Sequence, residues 1–210
     1  MPLLKTIDLK PGTRLFLWKI TERYDELLQD MELTTNSLTR LAGMKSIAHQ
    51  KGFLGVRKLL QEIGYQDSDL YYDDNGKPHL KDGTSISISH SHEFSALVLS
   101  DNPIGLDLEL LKDKTLRIAS RFMDVSHLDG LTSNDQIKKA TVVWGIKEAI
   151  FKIKNEKGIS FPLHIFEAPF QLYDKQCTAE LRFNKQVEPF TIHFDFVEDY
   201  VLVCAMKLQL

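Results

Sequence analysis

Cysteine is scarce in this chain. Cys177 and Cys204 are its two, too few and too scattered for a disulfide framework or a thiolate zinc site. Cys204 stands in an apolar run and reads as a small core residue. An excess of positive charge is missing too: 26 Lys and Arg face 29 Asp and Glu, for a net charge of -3. Bulk attraction to nucleic acid or to an anionic membrane is thereby excluded, and only a local basic pocket is left. No apolar run nears the ~20 residues of a membrane-spanning helix. The start, Met1-Pro2-Leu3-Leu4-Lys5, has no long apolar stretch of the signal-peptide kind. The expectation is a cytoplasmic protein that works without membrane or nucleic acid. Nothing matches G-x-x-x-x-G-K-[ST], which excludes an ordinary P-loop kinase. Internal repeats, low-complexity tracts and an obvious linker are absent as well.

What is present is an ordinary globular composition. With 43% apolar residues, the 210-residue chain can build a core in one large domain or two small ones. Residues 14–20 read as a strand, with Thr21 as N-cap of a helix over 22–31. A turn-rich stretch at 34–37 precedes a long helical pattern over 38–63. In it Phe53, Leu54, Val56, Leu59, Leu60 and Ile63 make a core face, and Gly64 ends it. Residues 73–78, Asp-Asp-Asn-Gly-Lys-Pro, form a turn, on which Lys77 either reaches a phosphate or stays in solvent. Strands follow at 86–89, 94–100 and 104–108, expected as neighbours in one sheet. A short helix at 116–123, a loop at 126–132 and a long helix from Ser133 or Asn134 to Lys154 come next. Strands at 159–165, 179–183, 191–196 and 200–207 close the chain. The class is α+β, with two lobes of similar size, residues 1–102 and 103–210, meeting near residues 104–109.

Residues 104–109, Ile-Gly-Leu-Asp-Leu-Glu, read either as the stretch that carries the chemistry or as a plain exposed acidic strand end. Strand alternation puts Asp107 and Glu109 on one face, roughly 6–7 Å apart, and Leu106 and Leu108 on the other. Gly105 admits a close neighbour. Two adjoining carboxylates need a counter-charge, and Mg²⁺ prefers one or two carboxylates plus substrate phosphates. In the long helix Trp144, Glu148 and Lys152 lie roughly on one face, while Val143, Ile146 and Ile150 pack inward. Glu148 and Lys152 also have the spacing of a plain surface ion pair. Ser89 and His90, at a strand end, are donors for phosphate oxygens. Together these residues suit a Mg²⁺-dependent reaction at a pyrophosphate.

Four motifs occur in order: Gly76-Lys77-Pro78, Ile88-Ser89-His90-Ser91, Ile104-Gly105-Leu106-Asp107-Leu108-Glu109, and Trp144-x-x-Lys147-Glu148-Ala149-x-x-Lys152. This set resembles the signature of the 4′-phosphopantetheinyl transferases, in the larger, surfactin-synthetase-activating type. The resemblance implies a single-chain pseudo-dimer, hence a monomer, of two α/β lobes related by a pseudo-two-fold, with the active site between them. It implies transfer of phosphopantetheine from coenzyme A to a serine of an apo acyl or peptidyl carrier protein, releasing adenosine 3′,5′-bisphosphate. Residues carried over by motif are Asp107, Glu109 and Glu148 for Mg²⁺. Glu148 also activates the serine, and Lys152 steadies the pyrophosphate and its leaving group. Ser89, His90 and Lys77 hold coenzyme A. Lys45 and His49 are candidates for its 3′-phosphate, without a fixed register. The implied partner is an acidic carrier helix, of fatty-acid, polyketide or peptide synthesis alike. Many members carry a glutamate a few residues after an Arg-Phe pair; here Arg121-Phe122 is followed by Asp124 and His127 instead. Two other readings remain: a non-catalytic carrier-protein or nucleotide-binding module of the same fold, and a Mg²⁺-dependent phosphodiesterase acting on a small pyrophosphate.

Overall fold

The structure, a computed structural model, describes residues 3–208. The chain divides into two compact units, Met1–Asn102 and Pro103–Leu210.

The first unit runs β1 (Leu3–Lys10), β2 (Thr13–Lys19), α1 (Tyr24–Leu28), α2 (Thr35–Gly43), α3 (Ile47–Glu62), β3 (Leu70–Tyr72), β4 (Pro78–Leu80), β5 (Ser85–Ser91) and β6 (Phe94–Ser100). Its main sheet is antiparallel, in the order β1-β2-β6-β5. One face of that sheet, with Phe16, Trp18, Ile86 and Leu97, packs on the buried stripe Phe53, Leu54, Val56, Leu59 and Leu60 of α3. Strand β1 was not expected. The helix expected over 22–31 is shorter and is capped at Arg23, not at Thr21. The pattern over 38–63 is two helices. The Ser46 hydroxyl accepts the His49 N–H at 3.2 Å and starts α3 afresh, two residues after the Met44 C-cap of α2. The 34–37 stretch is in fact the start of α2, with Thr34 as N-cap.

Buried charge joins these pieces. Asp67 Oδ1 accepts from Arg57 Nε at 3.1 Å and from Ser37 Oγ at 2.8 Å, and its Oδ2 accepts from the Thr34 N–H and hydroxyl at 2.8 Å each. The Arg57 guanidinium lies 3.6 Å over the Phe53 ring. Between β3 and β4 the expected turn is present. Asp73 Oδ1 accepts the N–H groups of Asn75 and Lys77 at 2.9 Å each, and Gly76 takes φ +80°.

The second unit runs β7 (Ile104–Leu110), α4 (Asp113–Arg117), α5 (Ser133–Lys154), α6 (Phe161–His164), β8 (Ile165–Glu167), β9 (Gln176–Phe183), β10 (Gln186–Val197) and β11 (Tyr200–Lys207). Its sheet is antiparallel in the order β7-β11-β10-β9-β8, with β7 and β8 at its two edges. The three-strand sheet expected from 86–108 is therefore corrected. β7 leaves β6 at Pro103 and pairs with the last strand, Asp107 opposite Val203. Residues 159–165 are not a strand but lead through the short α6 into β8. The expected 116–123 helix is α4 followed by a 3-10 turn at Ala119–Arg121. The 126–132 loop opens in a 3-10 turn, Val125–Leu128. Helix α5 is capped by Thr132, one residue before Ser133 and two before Asn134, the expected caps, and ends at Asn155 in the left-handed region. Val143, Ile146, Ala149 and Ile150 of α5 are fully buried against Phe190, Ile192, Val201 and Val203 of the sheet. Burial of Val143, Ile146 and Ile150 contributes about 1.5–3 kcal/mol each. Among the described residues no helix is long and apolar enough to cross a membrane.

Candidate active site

Asp107 and Glu109 share the face of β7 that meets α5, as strand alternation requires. Two glycines bring strand and helix together. A Cβ on Gly105 would stand 1.9 Å from the Ala149 carbonyl oxygen of α5. On the helix, a Cβ on Gly145 would stand 2.6 Å from Val203 Cγ2 and 3.6 Å from Asp107 Oδ2. No other residue type fits either place without the elements moving apart.

That approach lets α5 hold both strand carboxylates. Lys152 Nζ donates to Asp107 Oδ1 at 2.9 Å and to the Leu106 carbonyl at 2.7 Å. Trp144 Nε1 donates to Glu109 Oε1 at 3.2 Å. The indole is itself fixed by edge contacts with Phe122 and Phe161, at centroid distances of 5.2 and 5.5 Å. So Trp144 and Lys152, two turns apart, each meet one carboxylate, as their shared face predicts.

The electrostatics are those of crowded negative charge. Burial, then the charge of Asp107, pushes Glu109 up to about 7, against the pull of the Trp144 hydrogen bond and Lys152. Burial and Asp107 likewise raise Glu148, against Lys152. Among the described residues no three His, Cys, Asp or Glu side chains group into a ready-made metal cage. The donor chemistry nonetheless suits Mg²⁺, which takes one or two carboxylates, keeps waters and completes its octahedron with phosphate oxygens. A cation there would offset both the burial and the repulsion that raise Glu109 and Glu148.

The first unit gathers a different set. Ser89 is buried on β5, and the His90 ring lies 5.0 Å from the His49 ring of α3. Gly52 makes this approach possible, because a Cβ there would stand 2.7 Å from His90 Nδ1. Lys77, half-buried, rides on the separate β3–β4 turn, and Lys45 is exposed ahead of α3. A cavity of about 550 Å³ beside that hairpin is lined by Arg40, Tyr71, Tyr72, Asp73 and Lys81 among others, with the Arg40 guanidinium 3.8 Å over the Tyr72 ring. The sequence reading missed Arg40 and Tyr72, and no local signal marks them. It named Trp144 only for its face; that an indole donor would hold Glu109 follows once β7 and α5 are adjacent.

The profile of the 4′-phosphopantetheinyl transferase superfamily matches residues 103–205, the second unit almost entire. The chain is 28% identical over 162 residues to the 4′-phosphopantetheinyl transferase gsp of Aneurinibacillus migulanus, covering 73% of this chain and 66% of that one. It is 29% identical over 152 residues to the 4′-phosphopantetheinyl transferase Sfp of Bacillus subtilis, covering 63% and 67%. A further 4′-phosphopantetheinyl transferase of Bacillus subtilis is 32% identical over 137 residues, covering 62% and 59%. The chain thus spans about two thirds or less of the length of these relatives.

Proposed function

The chain belongs to the 4′-phosphopantetheinyl transferase superfamily, in its surfactin-activating type, and from that premise we propose that it transfers the 4′-phosphopantetheine group of coenzyme A to a serine of an apo acyl or peptidyl carrier protein. Adenosine 3′,5′-bisphosphate is the other product. The observation that carries this reading is the β7–α5 face, where Asp107, Glu109 and Glu148 crowd against Lys152.

Work divides between the units. In the second, Asp107, Glu109 and Glu148 are the residues to hold Mg²⁺. When bound, Mg²⁺ supplies charge neutralisation of the pyrophosphate. Glu148, on the α5 face that meets the strand carboxylates, is the carboxylate placed to accept a proton. It takes the proton of the serine hydroxyl, directly or through water, as the serine oxygen attacks the phosphorus that bears the pantetheine arm. The bond from that phosphorus to the bridging oxygen breaks, and the bisphosphate leaves with the oxygen. Lys152 faces the negative charge that gathers there. In the first unit, Ser89, His90 and Lys77 hold the coenzyme A phosphates. The arrangement of the units as a pseudo-two-fold pair working as a monomer in the cytoplasm is part of the same proposal.

Intact-mass spectrometry of an apo acyl carrier protein incubated with this protein, coenzyme A and Mg²⁺ tests it. A gain of one phosphopantetheine, abolished by EDTA, is the expected result. Coenzyme A consumed with no carrier present would point to a pyrophosphate phosphodiesterase instead. Binding of coenzyme A without transfer to any acyl or peptidyl carrier would reduce the protein to a binding module.

A further inference from the structure

Lys147 is adjacent in sequence to Glu148 but points elsewhere, into the protein. Its side chain is 2% exposed. The ammonium donates to Glu167 Oε2 at 2.6 Å and to the carbonyl of Ile165, both on β8. The Glu167 side chain is 4% exposed, and its other oxygen, Oε1, is 3.4 Å from Nδ1 of His127. His127 belongs to the turn before α5. The carboxylate facing Lys147 is therefore supplied by β8, and His127 lies against it from the other side.

The place of this contact chain in the sheet gives it meaning. β7 and β8 are the two edges of the five-stranded sheet. α5 is tied to one edge by Lys152–Asp107 and Trp144–Glu109 and to the other by Lys147–Glu167. The buried apolar face seats α5 on the sheet, and directional contacts at both edges set its rotation more finely than apolar packing does. The charged contact at the β8 edge is the second of these fixed points. Buried ion pairs add little net stability over an apolar pair of similar volume, so geometry is what such a pair supplies best.

We infer that Lys147, Glu167 and His127 are positioning residues that fix the rotation of α5, and with it the aim of Glu148 and Lys152. The inference rests on the transfer reaction proposed above. No member of the chain touches the reacting atoms; each acts through the helix.

Three variants test it, with kcat, the KM for coenzyme A, the unfolding midpoint and amide hydrogen exchange as readouts. Glu167→Gln should lower kcat by about tenfold or more with the KM for coenzyme A nearly unchanged. In the metal-free protein it should speed amide exchange over residues 144–152. The double variant Lys147→Met with Glu167→Leu removes the charges in favour of apolar packing. It should keep a near wild-type unfolding midpoint and still lose kcat by about tenfold. A double variant with kcat within about twofold of wild type would overturn the inference, because the pair would then be structural only. That variant decides even where Glu167→Gln does not fold. His127→Ala, at a partly exposed position, should lower kcat by about threefold; unchanged kcat would strike His127 from the chain. A wild-type protein that transfers nothing would instead sink the proposed function. The exchange readout then decides alone, and unchanged exchange in Glu167→Gln would refute the positioning role.

Discussion

Two residues without side chains set the geometry of the β7–α5 face. Because the atom that a Cβ on Gly105 would meet is a backbone oxygen of α5, no rotamer change relieves the clash, and strand and helix must separate. Gly105→Ala should cost about 1–3 kcal/mol, as overpacking does. It should also cut transfer by more than about tenfold, because the Lys152–Asp107 contact at 2.9 Å lies across the same gap. A thermal melt and the carrier mass assay measure the two effects. Wild-type activity with normal stability would show that the elements can part without harm. Trp144→Phe is the complementary change. It keeps an aromatic ring between Phe122 and Phe161 and removes only the Nε1 donor to Glu109. A hydrogen bond to a charged group contributes about 1.5–3 kcal/mol. The fold should stand, and the Mg²⁺ concentration for half-maximal activity should rise by about tenfold. An unchanged Mg²⁺ requirement would mean that the indole does not orient Glu109 for the metal.

At the scale of elements, the first unit is joined by the Asp67 network, which ties the start of α2 and the middle of α3 to the turn that enters β3. Burial raises the Asp67 carboxyl, but hydrogen bonds from Thr34 and Ser37, with the charge of Arg57, outweigh it and hold the carboxyl below its ordinary 3.8. A folded-state pKa below the unfolded one gives stability that is full above the unfolded value and lost as pH falls through the folded one. Stability to urea should therefore fall as pH drops below about 4. Asp67→Asn should remove this group's share of the acid dependence. It should also cost about 3–5 kcal/mol at neutral pH, because it leaves the Arg57 charge buried without its partner. An acid limb as steep in the variant as in wild type would assign the effect elsewhere. The elements themselves were legible where a signal is local. The alternation of 104–109, the stripe of Val143, Ile146 and Ile150, and the Asn-Gly turn before Lys77 each lie within a few residues, and the strand at 94–100 matches β6 exactly in its bounds. Pairing was not legible. β7 finds its partner in β11, about a hundred residues on, and no local pattern states which strand that will be. The break between α2 and α3 was missed for another reason: apolar spacing continues across it, while the backbone is interrupted over just three residues, from the Met44 C-cap to the Ser46 N-cap.

For the whole molecule, charge is the property that bears on the carrier. The proposed partner is acidic, and this chain is also net negative, at -3 with a pI near 6.2. Between two such molecules the mean field repels, so attraction must come from a local set of cations near the docking face. Both terms are screened by salt, with a Debye length of about 10 Å at 0.1 M. Their signs oppose. If local attraction dominates, added salt weakens docking; if the mean field dominates, added salt helps it. Specific recognition of an acidic helix requires the first case. The kcat/KM for the carrier should therefore fall several-fold between about 0.05 and 0.5 M salt, mostly through KM. A short serine peptide that accepts phosphopantetheine but lacks the acidic helix should show a smaller drop, which separates docking from the effect of salt on coenzyme A. A kcat/KM for the full carrier that rises with salt would show that apolar contact, not charge, makes the encounter. The acidic helix would then be the wrong description of the surface this chain recognises.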